Sequence, residues 1–198
     1  MTERMDPLFD NYRNLRKKVD GFLRGAIKAH GGDMVCRKGC ASCCRHLTLF
    51  PVEALHIRLS LDGLEPERQR KIQERALLLS DSPDGECPLL QGGECLLYPE
   101  RPLICRTHGF PVFMATGAGY SVDHCPLNFT SGGAPGKAHT LDIDVMNTAL
   151  VTINRLFMKS WSRPESFPDR ILLAQALLLN IKCNDSVWPC FSGKKALL

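Results

Sequence analysis

The sequence predicts a mainly α-helical fold, a single domain with a cysteine-rich centre and one small β-hairpin. Three observations predict it. Apolar residues recur at helical intervals near both ends and in two inner stretches, turn residues crowd one middle segment, and most of the ten cysteines fall between positions 36 and 125. A length of 198 residues suits one domain spanning 1–198 with its own core, and 44% hydrophobic with 23% charged residues is the balance of a chain that folds. The net charge is +4, with basic residues interspersed among acids, so bulk electrostatics call for neither a nucleic-acid partner nor a membrane surface.

Asp6 and Pro7 open the first helix, and Leu8, Tyr12, Leu15, Val19, Phe22, Leu23 and Ile27 form its stripe until Gly31 and Gly32 stop it. Two packing helices follow, from Pro51 to about Leu61 and from Glu65 to Leu79. The stretch from Asp81 to Glu100, with Ser82, Pro83, Asp84, Gly85, Gly92, Gly93 and Pro99, reads as an extended loop. A loop of that length needs something to pin it. Arg101 to His108 reads as a short helix with Pro102 in its first turn, and Phe110 to Met114 with Tyr120 to Asp123 as the hairpin. After the Ser131 to Gly136 break, Thr140, Asp142 and Asp144 open a helix whose stripe is Ile143, Met146, Leu150, Ile153 and Phe157, ending near Trp161. The paired acids Asp142 and Asp144 read as first-turn partners of the helix dipole. A last helix is predicted from about Pro168 to Asn180. The segments 1–32 and 140–180 are thus flanking helices, expected to pack together beside the 36–125 centre.

Met1 to Arg16 lacks the apolar run and cleavage site of a secretory signal, and Ile171 to Leu179 is far short of the roughly 20 apolar residues that span a bilayer. A cytoplasmic location is therefore expected. In a reducing compartment, a cysteine-dense chain is read first as metal-binding or redox-active. Cys36-Arg37-Lys38-Gly39-Cys40-Ala41-Ser42-Cys43-Cys44 packs four thiols into nine residues. On a helix they would span about 100° of arc; in a loop, Gly39 supplies the turn. A disulfide between neighbouring Cys43 and Cys44 would be strained.

The second half of the pattern is Cys87-Pro88-Leu89-Leu90, Gly93-Glu94-Cys95-Leu96-Leu97-Tyr98, Arg101-Pro102-Leu103-Ile104-Cys105-Arg106, and Cys125-Pro126. Together with the first cluster it resembles the YkgJ-type cysteine-cluster family, a zinc- or iron-chelating family with a CxxCxxCC-type cluster followed by C-P-x-L, G-x-C-x-x-Y and R-P-x-x-C-R elements. The first spacing here is three residues rather than two. The resemblance implies that Cys36, Cys40, Cys43, Cys44, Cys87, Cys95, Cys105 and Cys125 are the metal-binding set. Thiolates suit zinc and iron–sulfur clusters alike, and eight of them match two four-sulfur sites. Bound metal would pin the 81–100 loop, and its loss would unfold this half of the chain. Arg37, Lys38, Arg45, Arg101 and Arg106 flank the cysteines and can offset thiolate charge. Structural zinc sites favour paired C-x-x-C knuckles, and only Cys40 to Cys43 has that spacing, so an iron–sulfur cluster is preferred over Zn²⁺.

The expected function is a metal-binding protein in electron transfer, metal handling or an accessory role. Two other classes compete. The cluster also resembles that of the flagellin lysine methylase, which implies a methyltransferase-like enzyme, although no methyl-donor pocket signature accompanies it. A zinc-stabilised interaction module is the third, though Lys, Arg and aromatic residues are not gathered as nucleic-acid contact would require. Cys36-x3-Cys40-x2-Cys43 has radical S-adenosylmethionine spacing, but Ser42 stands where that motif has an aromatic residue. His46, His108 and His124 read as structural rather than ligating, and Cys183 and Cys190 as a free or reversibly paired couple outside the pattern.

Overall fold

The computed structural model describes residues 6–117, 119–131, 135–161, 167–180 and 190–191. About half of these are helical, with small sheets between. The chain divides into two compact units: 1–43 with 101–153, and 44–100 with 154–198.

In the first unit, a 3-10 turn at Asp6–Phe9 leads into α1, Asp10–His30. Its buried residues are Tyr12, Arg16, Val19, Leu23 and Ala26, alternating steps of four and three along one face. Ile27, predicted on that stripe, falls one position off the repeat and is exposed, while Ala26 takes the buried place. The face packs on α4, Leu103–Thr107, whose Arg106 is buried and donates from Nη1 to both carboxylate oxygens of Asp20, at 2.7 and 2.8 Å. The predicted hairpin forms from β4, Val112–Thr116, and β5, Gly119–Asp123, paired antiparallel with Phe113 opposite Val122. A third strand, β6 at Leu141–Asp142, joins β4 in parallel. Asp142 then caps α5, Ile143–Ser160: its Oδ1 accepts the Val145 N–H at 2.9 Å. Asp144 accepts the Ala115 N–H at 2.8 Å, so the two acids bind specific amides rather than only the dipole. Thr140 turns the other way, its hydroxyl donating to the carbonyls of Pro135 and Gly136.

In the second unit, α2 at Pro51–Leu61 and α3 at Pro66–Leu79 match prediction, each with Pro in its first turn. The 81–100 stretch is not a bare loop. Leu90–Gln91 (β2) and Glu94–Cys95 (β3) form a miniature hairpin around Gly92 and Gly93, both at positive φ. The stretch is held by an Arg75–Glu86 ion pair, the Arg45–Glu86 strand bridge and Arg68 donating to the Leu96 carbonyl at 2.6 Å. The protein's own hydrogen bonds therefore fix this segment.

The predicted last helix is corrected. Only Leu173–Leu177 is helical (α6). Ile171–Leu172 (β7) pairs antiparallel with Thr48–Leu49 (β1), and Leu179–Asn180 (β8) pairs with Cys190–Phe191 (β9). The reason is burial of most of the run, with no residue in it exposed. Ile171, Leu173, Ala174, Ala176, Leu177 and Leu179 are all enclosed, with α6 packed on α2 and α3, so the run carries no one-sided stripe to commit it to a long helix. Of the two cysteines set outside the pattern, Cys183 lies outside the described residues, and Cys190 is described only by its backbone in β9.

No side chain of its own caps the start of α2; instead the buried Asn154 accepts the Val52 N–H through Oδ1 at 3.2 Å. Asn154→Ala leaves that amide unsatisfied and is expected to cost about 1–3 kcal/mol in urea denaturation. Asn154→Asp, which keeps the acceptor, should recover most of the loss.

Candidate metal centre

All eight framework cysteines carry free thiols, and of these only Cys87 is buried. The adjacent Cys43 and Cys44 fall in different units, so each unit holds its own group of sulfurs.

The first unit contains Cys36, Cys40, Cys43, Cys105 and Cys125. Cys40 closes a turn by donating its N–H to the Arg37 carbonyl at 3.0 Å, and Gly39 occupies φ +97° inside it, a left-handed conformation that glycine adopts without strain. The turn brings Cys40 back beside Cys36. Burial pushes the Cys36 thiol above its ordinary value; a hydrogen bond from Asn128 pulls it down, and nearby Cys125, Cys40 and Cys43 push it up again. Cys36 thus stands within reach of thiols from its own segment and from the distant Cys125.

Cys125 reaches this group through Gly109. The Cys125 N–H lies 3.4 Å from the Gly109 carbonyl, and Gly109 sits at φ +86° with its α-carbon turned toward Cys36. A Cβ there would collide with the Cys36 Sγ and touch the Cys125 Cβ. Cys105 lies in α4, its carbonyl accepting from Arg101 Nη1 at 3.3 Å. Arg106, expected to offset thiolate charge, is instead engaged with Asp20 and the Arg101 carbonyl.

The second unit contains Cys44, Cys87 and Cys95. Cys87 begins a tight turn, with the Leu90 N–H donating to its carbonyl at 3.0 Å, and Cys95 stands opposite Leu90 across the miniature hairpin. Burial pushes the Cys87 thiol up to about 12; the backbone N–H groups of Leu89 and Leu90, bonded to its sulfur, lower it, while Cys95 and Cys44 raise it. Adjacent amides aimed at one sulfur favour a charged sulfur, as a metal-bound thiolate is.

Two of the three histidines near the cysteines have ring hydrogen bonds to the backbone. His46 Nδ1 donates to the Ser82 carbonyl at 2.8 Å, and Nε2 accepts the Ala174 N–H at 3.0 Å, so both ring nitrogens are occupied. His124 Nδ1 donates to the Cys125 carbonyl at 3.0 Å, and burial lowers the His108 pKa. Among the described residues, no group of three or more His, Cys, Asp or Glu side chains already stands in a geometry that holds a metal ion. The donor set nevertheless fits a soft metal: uncrosslinked sulfurs, N–H donors aimed at two of them, and a glycine where a Cβ would block the Cys36 sulfur. Sequence reasoning missed Gly109 and Asn128. Neither carries a motif, and Asn128 signals itself only by standing three residues after Cys125.

Gly109→Ala should cost about 1–2 kcal/mol from the left-handed φ alone, read by chemical denaturation, and should lower metal retention by displacing the Cys36 sulfur. The raised thiols set a pH dependence. Below about pH 12, Cys87 holds a proton that a metal must displace, so Zn²⁺ affinity should climb about tenfold per pH unit for each such thiol and continue past the ordinary thiol range. Chelator competition at several pH values checks this: Cys87→Ala should reduce the slope by about one.

No curated protein and no solved structure matches this chain. A family model does, over a span that contains all eight framework cysteines and agrees with the resemblance carried by their spacing. Residues 35–126 match the family CxxCxxCC, described as a putative zinc- or iron-chelating domain.

Proposed function

We propose that this chain is a metal-binding protein that holds an iron–sulfur cluster, with Zn²⁺ as the competing occupant, on thiolates drawn from Cys36, Cys40, Cys43, Cys44, Cys87, Cys95, Cys105 and Cys125. Its role is electron transfer, metal handling or service as an accessory factor. The observation that carries the reading is the convergence of Cys40, Cys43 and Cys125 on Cys36, all four uncrosslinked, with Gly109 leaving room between the Cys36 sulfur and Cys125. Such a group has little reason to exist as packing. Crowded thiols resist ionisation, and a cation is what relieves that cost. The matched zinc- or iron-chelating family supports the same chemistry.

In the first unit, Cys36, Cys40, Cys43 and Cys125 supply four sulfurs, the number that satisfies a zinc ion or a cubane cluster. In the second, Cys44, Cys87 and Cys95 supply three more. The bound group would furnish either a one-electron couple or a purely structural cross-link. The chain's own part is to present desolvated sulfurs, donate N–H groups to them and restrict water. Preference for iron–sulfur rests on the scarcity of C-x-x-C knuckles.

Protein isolated without oxygen should be coloured, with broad visible absorbance that bleaches on reduction and with matching iron and acid-labile sulfide. Stoichiometric zinc in a colourless sample would replace the cluster by zinc, and a folded preparation without metal would reject the reading. Cys36→Ser and Cys125→Ser should each reduce metal content severely.

A further inference from the structure

Asn128 lies beyond the family-matched segment, yet it is 1% exposed, and every polar atom of its side chain is committed. Its Oδ1 accepts the Val35 N–H at 2.9 Å. Its Nδ2 donates to the Gly109 carbonyl at 2.6 Å and to the Cys36 Sγ at 3.2 Å, and its backbone N–H donates to the Cys125 carbonyl at 2.9 Å. One residue therefore touches the amide ahead of Cys36, the Cys36 sulfur, the glycine that makes room for that sulfur, and the backbone of Cys125. The amide cannot be turned over. Val35 is a donor and must meet the oxygen; the Gly109 carbonyl is an acceptor and must meet the NH₂, so an N–H necessarily faces the sulfur.

The neighbouring backbone is strained to keep it there. Phe129 has φ +55°, rare for a bulky residue, and is held by its N–H donating to the Asp33 carbonyl at 2.7 Å. Asp33 and Val35 lie just before Cys36, so residues 128 and 129 clasp the segment that leads into the first cysteine. A neutral thiol is a poor acceptor, and a packing role alone would not need an amide proton aimed at sulfur.

We propose that Asn128 is a positioning residue for the metal centre, donating an N–H···S hydrogen bond that fixes Cys36 as a ligand and ties it to Cys125. This rests on the metal-binding reading above. Donors to ligated sulfur stabilise the charge that metal binding places there, and so set both affinity and, for a redox centre, its potential.

The test uses full-length protein without oxygen and Co²⁺ as the probe. Wild type should give a sulfur-to-cobalt charge-transfer band. Asn128→Asp keeps the shape and the acceptor for Val35 but turns a carboxylate oxygen toward the sulfur; it should bind Co²⁺ about 10- to 100-fold more weakly, with the band displaced. A wild-type protein with no such band overturns the metal reading and this inference with it. A normal wild-type band with Asn128→Asp unchanged in band position, and within about twofold in affinity, overturns the inference alone. If the variant does not fold, wild type loaded with ¹¹³Cd²⁺ decides. Scalar coupling between cadmium and the Asn128 side-chain amide proton supports the hydrogen bond to a ligated sulfur, and its absence overturns it.

Discussion

Thiols placed close together in partly buried positions constrain everything around them, because burial and a neighbouring thiolate both oppose loss of a proton. Cys36 shows the balance within one group: burial and the charges of Cys125, Cys40 and Cys43 oppose ionisation, and a single amide favours it. Cys87 shows the same balance in the other unit, where backbone amides replace the side-chain donor. The first group also commits backbone conformations to the arrangement. Gly39 and Gly109 occupy left-handed φ, and Phe129 does so without glycine's freedom. Positive-φ turns, aimed N–H groups and missing Cβ atoms are what a polypeptide needs in order to wrap sulfur around a cation.

The helices serve this arrangement indirectly. The Arg106–Asp20 pair couples α1 to α4, the helix that carries Cys105 and leads to Gly109. The β4–β5 hairpin then returns the chain to Cys125, next to where Gly109 left it. In the other unit, His46 joins the Ser82 carbonyl to the Ala174 amide, so the segment following Cys44 is tied both to the turn before Cys87 and to α6. No described helix is long and apolar enough to cross a membrane.

Much of the fold was legible in the sequence because it is punctuated. Pro51 and Pro66 start helices within a residue of prediction, Gly31 lies at the C-terminus of α1, and the hairpin strands flank a glycine-containing turn. Two stretches misled for physical reasons. The 171–179 run is apolar apart from Gln175 and mostly buried, so its composition gives no clear choice between strand and helix. In the 81–100 stretch, Gly92 and Gly93 read as loop residues by composition, although a Gly-Gly pair between Leu90-Gln91 and Glu94-Cys95 is also a hairpin turn. The site divides the same way. Cysteines announce themselves by type and spacing, whereas Asn128 and Gly109 matter only through contacts with a sulfur about 90 and 70 positions away, which no local pattern encodes.

The central claim is that sulfur alone surrounds the metal, and X-ray absorption at the metal edge of protein isolated without oxygen reads this directly. The account predicts a first shell composed of sulfur at about 2.3 Å, with no lighter scatterer needed to fit it. A first shell dominated by oxygen or nitrogen would contradict it.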